Sequence, residues 1–222
     1  MIRFEHLSKA FATGTGRTII VEDLTLDLPP RRSIALRGRN GAGKSTLLQM
    51  IAGNQKPDGG RVVTMGNVSW PVGIGGAFHP ELTGAQNARF VARIHGVDPG
   101  ALAAFVADFA ELGDHFAMPV RTYSQGMKAR LSFGLSMGIA FDTYLVDEVT
   151  ATGDAAFREK SHALFLDPIA NAGALIVSHN MEELRTLCDA ALVLRDGRAT
   201  FFTSVEEGIA AHRAHLGVPQ GG

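Results

Sequence analysis

Gly38-Arg39-Asn40-Gly41-Ala42-Gly43-Lys44-Ser45 is the stretch whose reading decides the fold. It fits the pattern GxxxxGK[S/T] and stands between a short apolar run, residues 33–36, and a helical pattern carrying Leu47, Leu48 and Ile51. That strand-to-helix setting gives the pattern its physical meaning. The glycines let the loop wrap closely with its N–H groups pointing inward, and the helix starting near Lys44 adds its positive end to the same pocket. Phosphate charge is met by backbone dipoles. Lys44 is predicted to reach the β- and γ-phosphates of a triphosphate, and the Ser45 hydroxyl to ligate Mg²⁺. Gly53 is placed to end the helix.

Two further apolar runs, residues 143–146 and 174–177, have the composition of strands buried on both faces. Each leads straight into polar residues, as strands do at the edge where open α/β sheets place ligands. The first belongs to an apolar stretch, 141–146, that ends in Asp147-Glu148, two adjacent carboxylates that packing does not call for. Asp147 is suited to hold Mg²⁺, usually through water, and Glu148 to orient and polarise the water that attacks a γ-phosphate. The second delivers His179, after Ser178, to the same edge, where an imidazole can hydrogen-bond a γ-phosphate. Short β-type runs alternating with helical patterns predict a mostly parallel sheet covered by helices.

From about residue 83 to 140 the strand signal disappears. Thr83 with Gln86 forms a capping box, and Asp98-Pro99 reads as an N-cap followed by an N1 proline. Leu102, Phe105, Val106, Phe109 and Leu112 follow helical spacing, a stripe that packing alone explains. Residues 191–194, the turn Asp196-Gly197 and residues 200–202 read as a hairpin. Ser204 and Glu207 then cap a final helix running to about Leu216. There is no internal repeat or low-complexity tract, and no second C-terminal domain is expected.

Charge nearly cancels, 21 Lys+Arg against 22 Asp+Glu, so no broad basic field points to nucleic acid and any anion binding is local. The single Cys188 rules out an internal disulfide and fits a reducing compartment; a small buried hydrophobe is its simplest reading. MIRFEHLSKAF lacks an apolar signal-peptide core, which predicts a cytoplasmic protein. The longest apolar candidate, residues 131–141, falls short of the roughly 18 residues of a spanning helix. Any action on a membrane is expected from the side.

Tyr123-Ser124-Gln125-Gly126-Met127, read alone, is an N-capped helix start. Standing after the phosphate loop and shortly before the acidic strand, it resembles the signature LSGGQ of the ABC ATPases, and the resemblance covers nearly the whole chain. Gln125 replaces the first glycine of the signature pair and Met127 its glutamine, while Ser124 and Gly126 remain. The resemblance implies an α/β P-loop NTPase with a mostly parallel core sheet, an N-terminal antiparallel β part and an inserted helical subdomain. Residues 1–76 and 141–222 would form the core and 77–140 the helical subdomain. ATP and Mg²⁺ are the implied cofactors. ATP would be held by Gly38, Arg39, Asn40, Gly41, Ala42, Gly43, Lys44, Ser45 and Thr46 of one subunit and by Ser124, Gln125 and Gly126 of the other, across a head-to-tail homodimer. His179 resembles the switch histidine, and Asp154, in Thr152-Gly153-Asp154, resembles the D-loop aspartate. His79 stands where the family's Q-loop glutamine is expected: it either bonds water near Mg²⁺ or is an exposed loop residue. Phe11 stands where an aromatic often stacks on adenine, and is otherwise core.

The stretches 69–73 and 82–84, TYSQGMKARLSFGLSMG and DEVTATGDAAF are similar to the ATPase subunit of capsular-polysaccharide exporters. That implies two such ATPases with two copies of a polytopic membrane permease on the cytoplasmic face of the inner membrane, exporting a lipid-linked polysaccharide that this chain does not contact. The compact length favours this branch over O-antigen exporters with an added C-terminal domain. A partner helix is expected beside residues 70–78, with Trp70 and Phe78 as anchors unless Trp70 is core. Rival readings are an O-antigen or teichoic-acid exporter ATPase, a soluble non-transport ABC ATPase, and a non-hydrolysing regulator. The intact Lys44, Asp147, Glu148 and His179 oppose the last.

Overall fold

The computed structural model describes residues 1–14, 16–72, 78–147 and 155–216. Contacts divide the chain into two compact units: Met1–Pro71, Phe141–Glu148 and Ile169–Gly222 form one, and Val72–Ala140 with Val149–Pro168 the other.

In the first unit, β1 (Ile2–Thr13), β2 (Gly16–Leu28) and β4 (Gly59–Thr64) form an antiparallel sheet in the order β2-β1-β4. The other sheet takes the order β5-β6-β7-β3-β8-β9, from β3 (Ser33–Arg37), β5 (Val68–Val72), β6 (Thr143–Asp147), β7 (Gly173–Val177), β8 (Ala190–Arg195) and β9 (Arg198–Phe202). Strands β6, β7, β3 and β8 run parallel, and β9 returns antiparallel. The three apolar runs are therefore adjacent central strands, and β7 is buried along its whole length. Asp196 and Gly197 both take positive φ, 46° and 77°, which joins β8 to β9 through the two-residue turn that Asp-Gly favours.

Leu47, Leu48, Met50 and Ile51 of α1 (Lys44–Ile51) are buried with Ile34 and Leu36 of β3, Leu145 of β6 and Leu175 of β7 in one core. Phe141 precedes β6 instead of opening it. Its ring meets Trp70 edge-on at 5.5 Å and Tyr144 at 5.6 Å, a corner of packing that follows Ala140 out of the helical unit. The buried Ser69 hydroxyl accepts the Leu145 N–H at 2.9 Å, tying β5 to β6. Helices α6 (Met181–Leu187) and α7 (Val205–Leu216) follow β7 and β9, and α7 packs on β3 and β8. Cys188 is buried at the end of α6, where burial with Asp189 and Glu183 pushes its thiol up to about 12.

The second unit holds α2 (Gly84–His95), α3 (Pro99–Ala110), α4 (Gln125–Met137) and most of α5 (Ala155–Asn171). Thr83 and Gln86 form the reciprocal capping box, and Asp98 caps α3 through the Ala101 N–H at 2.6 Å. Leu102, Val106, Phe109 and Leu112 are buried, and Phe105 is half-buried against Phe109. Phe157 and Phe165 of α5 meet Phe109 and Phe133, so the helix as far as Pro168 belongs with this unit, beyond the 77–140 span expected from sequence. Among the described residues, no helix is long and apolar enough to cross a membrane.

Candidate functional site

The parallel register brings three strand ends to one edge of the sheet. Ala35 pairs with Ile176 and Asp147 with Val177, so the loop after β3, the carboxylate ending β6, and Ser178-His179 after β7 share that edge. Asp147 is half-buried and His179 exposed. Glu148 and Asp154 lie outside the described residues.

The loop's glycines are demanded by its geometry. Gly43 has φ 96°, and a Cβ there would overlap the Ile20 side chain. At Gly38 a Cβ would come within 2.8 Å of the Leu194 carbonyl oxygen. Gly43 is also the N-cap of α1, with no side-chain cap and no acidic residue in the first turn. The first-turn amides of a helix have no intrahelical partners, so this end is built for an anion from outside the helix. Lys44 Nζ donates to the carbonyls of Gly38 at 3.0 Å and Arg39 at 3.1 Å, an ammonium held over its own loop.

A cleft of about 400 Å³ runs from this loop to the end of the β1–β2 hairpin, lined by Phe11, Thr18, Ile20, Gly43, Lys44 and Thr46 among others. Phe11 is 41% exposed, which removes the core alternative, and Lys9 Nζ lies 5.2 Å from its ring centre. An exposed ring at one end of a cleft and a helix N-terminus at the other suit a flat aromatic base joined to a phosphate chain. Ser45 lines the same cleft. With Asp147 on the same sheet edge, it offers hard oxygens of the kind that Mg²⁺ prefers.

In the helical unit, Ser124, Gln125 and Gly126 are exposed at the start of α4. The Ser124 hydroxyl accepts the Met127 N–H at 3.2 Å, and the hydroxyl hydrogen stays available for donation. A Cβ on Gly126 would meet nothing nearer than 3.9 Å, whereas at Gly134 and Gly138 of the same helix it would press on Phe109 and on Leu102. Gly134 and Gly138 serve the packing of α3 on α4; among the described residues, nothing requires Gly126 to be small.

His79 is exposed, and its Nδ1 accepts the Glu81 N–H at 3.3 Å. The imidazole thus closes a local turn, and among the described residues no group of three His, Cys, Asp or Glu gathers to hold a metal. The expected anchor Trp70 is half-buried against Phe141, in favour of its packing role; residues 73–77 lie outside the described residues, and Phe78 is half-buried.

Sequence reasoning passed over three buried polar residues at these sites. Arg37, ending β3, donates to the Ser178 carbonyl at 2.6 Å, and burial followed by Arg213 lowers its pKa. His212 of α7 lines a second cavity beside the loop. Asn87 of α2 binds the loop that carries His79. A charged residue closing an apolar strand was the available signal for Arg37; His212 and Asn87 carry none without the tertiary structure.

Residues 21–151 match the family described as ABC transporter. The chain is 45% identical over 218 residues to the polysialic acid transport ATP-binding protein KpsT of Escherichia coli, covering 97% of each. It is 39% identical to the capsule polysaccharide export ATP-binding protein CtrD of Neisseria meningitidis serogroup B, covering 93% of this chain and 96% of the relative. Its fold matches a dimeric post-hydrolysis state of the ATP-binding cassette MJ0796 bound to ADP and Pi, with TM-score 0.74 at 19% identity over 90% of this chain and 98% of the other. The strand-end constellation, the exposed helix start at Ser124 and near-full-length similarity to export ATPases agree: the chain belongs to the ABC transporter family, as one of its ATP-binding subunits.

Proposed function

We propose that this chain is the ATP-binding and ATP-hydrolysing subunit of an ABC exporter. It powers export of a lipid-linked capsular polysaccharide across the inner membrane, through a separate membrane subunit that alone meets the sugar. The observation that carries the ATPase assignment is the single cleft joining exposed Phe11 to the uncapped N-terminus of α1. Support for the polysaccharide comes from the similarity to KpsT and CtrD, which spans almost the whole of each chain.

Adenine stacks on Phe11, and the loop amides with Lys44 hold the β- and γ-phosphates. Ser45 and Asp147 would hold Mg²⁺, which when bound would neutralise phosphate charge. Glu148 aims a water at the γ-phosphorus. As the new P–O bond forms, the bond to the β–γ bridging oxygen breaks, ADP departs with that electron pair, and the water's proton passes through Glu148 to the products. His179 hydrogen-bonds the γ-phosphate.

Two subunits act head to tail, each Ser124–Gly126 start closing on the partner's ATP, with Asp154 at the same junction. Gly126 suits this role, since a smallness that no described neighbour requires lets an outside phosphate approach the α4 amides. Two copies of the permease hold the pair at the cytoplasmic face of the inner membrane. Phe90 and Ile94, 52% and 63% exposed and one turn apart on α2, are better placed than Trp70 to receive its helix.

The test is co-expression with candidate membrane subunits and purification in detergent. ATPase activity that co-purifies with a polytopic protein, and is lost in Lys44→Ala, is the expected result. Activity recovered only free of membrane protein, or unchanged in Lys44→Ala, would overturn the assignment.

A further inference from the structure

The Phe11 ring is exposed at one end of the nucleotide cleft, so core packing alone does not fix its orientation. Lys9, two residues earlier on the same face of β1, reaches it: the 5.2 Å from Nζ to the ring centre is within the range of a cation–π contact. A surface lysine ordinarily keeps its ammonium in water. Lys9 is instead 8% exposed, and its Nζ donates to Asp58 Oδ1 at 2.8 Å. Asp58 holds the backbone as well. Its Oδ2 accepts the Ala10 N–H at 2.8 Å, and its own N–H donates to the Ser8 carbonyl at 2.8 Å, so one residue just before β4 grips three consecutive residues of β1. Those three span the place where β1 and β2 change register. Leu7 pairs with Leu24, Lys9 with Val21 and Ala10 with Ile19, and from Ala10 to Thr13 the register runs regularly. Ile20, opposite the irregularity, packs so closely on Gly43 of the phosphate loop that a Cβ there would overlap it. The clasp therefore fixes the strand where the spacing between the ring and the phosphate loop is set.

We propose that Lys9 and Asp58 are positioning residues for the base end of the nucleotide cleft: together they hold the Phe11 ring where adenine stacks, and so set the affinity for the base without touching the nucleotide. The inference rests on the reading of Phe11 as the adenine platform and adds to it what keeps the platform in place. Neither residue is among the described residues that line the cleft, so their effect passes through the ring and the strand that carries it. The bonds from Lys9 and from the Ala10 N–H lower the Asp58 pKa, which keeps the carboxylate charged at neutral pH and the ammonium anchored beside the ring.

The experiment compares, on the full chain, the affinity for Mg·ATP with that for Mg·tripolyphosphate, which keeps the phosphate chain and lacks the base. Lys9→Met and Asp58→Asn should each bind Mg·ATP about threefold more weakly, on the scale of an exposed cation–π contact, and bind Mg·tripolyphosphate as the parent does. Lys9→Arg keeps a cation for both the carboxylate and the ring, and should restore the affinity for Mg·ATP. A second measurement needs neither residue replaced. In the parent, the Lys9 ε-CH₂ proton resonances should lie upfield of the ordinary lysine position through the Phe11 ring current, and should return to it in Phe11→Ala. Equal weakening of both ligands would make the pair structural only and overturn the proposal. Undiminished Mg·ATP binding in both folded variants, or an ordinary Lys9 resonance in the parent, would overturn it too. If Phe11→Ala also binds Mg·ATP as the parent does, the adenine platform itself falls; if Phe11→Ala loses Mg·ATP selectively while the Lys9 and Asp58 variants do not, only the clasp falls.

Discussion

Asn87 holds His79 by both sides of its peptide backbone: Asn87 Oδ1 accepts the His79 N–H at 2.9 Å, and Asn87 Nδ2 donates to the His79 carbonyl at 3.1 Å. The same amide donates to the Leu82 and Thr83 carbonyls at 3.2 and 3.0 Å, and the side chain is fully buried. The loop's position is therefore set from α2 through Asn87, and among the described residues the His79 side chain contributes its exposed bond to Glu81.

Asn87→Ala strands these backbone groups and leaves a cavity, at a cost of about 2–4 kcal/mol. His79→Ala removes an exposed contact and should change stability by no more than about 0.5 kcal/mol. Denaturant unfolding of both variants checks the pair. If His79 relays movement to the membrane subunit, His79→Ala also lowers transport in the assembled exporter while leaving basal hydrolysis; an unchanged transport rate would leave it a loop residue.

Gly126→Ala separates folding from function. Alanine fits the space around it and suits a helix better than glycine, so the nucleotide-free chain should gain up to about 1 kcal/mol. In the proposed dimer the added methyl group would stand where a partner's γ-phosphate approaches the α4 amides, and hydrolysis should fall tenfold or more. Thermal unfolding and ATPase assays on one preparation decide it. Full activity in the stabilised variant would remove the start of α4 from the site.

The central strands were legible in sequence because parallel strands buried on both faces are apolar runs, and because Gly38, Asp147 and Ser178 mark where each run stops. The β1–β2 pair was expected from the family resemblance and not from the residue pattern. Its register shifts between Phe4 and Leu7, and again around Lys9, so the period-two alternation that betrays a half-buried strand is broken. For the site, the phosphate loop was explicit in residue order. The cavity lined by Arg37 and His212 was not, because it exists only once α7 packs back on β3. Trp70 stayed open between anchor and core for a related reason: its partner Phe141 is 71 residues away and is brought to it by the pairing of β5 with β6.

Phe11 offers a contact that can be removed without disturbing the core. Loss of stacking on the base should weaken Mg·ATP binding by about tenfold in Phe11→Ala, on the scale of aromatic–base contacts. Stability should hold within about 0.5 kcal/mol, because the ring is exposed. Phe11→Tyr keeps the π-face and should bind like the parent. Titration calorimetry with ATP checks all three, and undiminished affinity in Phe11→Ala would place the adenine elsewhere.

Acid should destabilise the chain before its carboxylates titrate. His212 is held down to about 4 in the folded protein, against 6.5 when unfolded, by burial and by Arg37, Lys44 and His215. Burial lowers His95 as well. Below pH 6.5 the unfolded chain therefore binds a proton that the folded chain refuses. The stabilisation is complete above pH 6.5 and is lost as pH falls toward 4, by about 3 kcal/mol for a shift of this size. Asp27 and Asp58 are held below the ordinary carboxylate value by Arg3 and Lys9, so their contribution is lost at lower pH still. Urea unfolding at intervals from pH 7.5 to 4 should show this loss in the parent and a much flatter profile in His212→Gln. Equal slopes in the two proteins would mean that His212 accepts its proton in the folded state, and that the cations around it are already compensated.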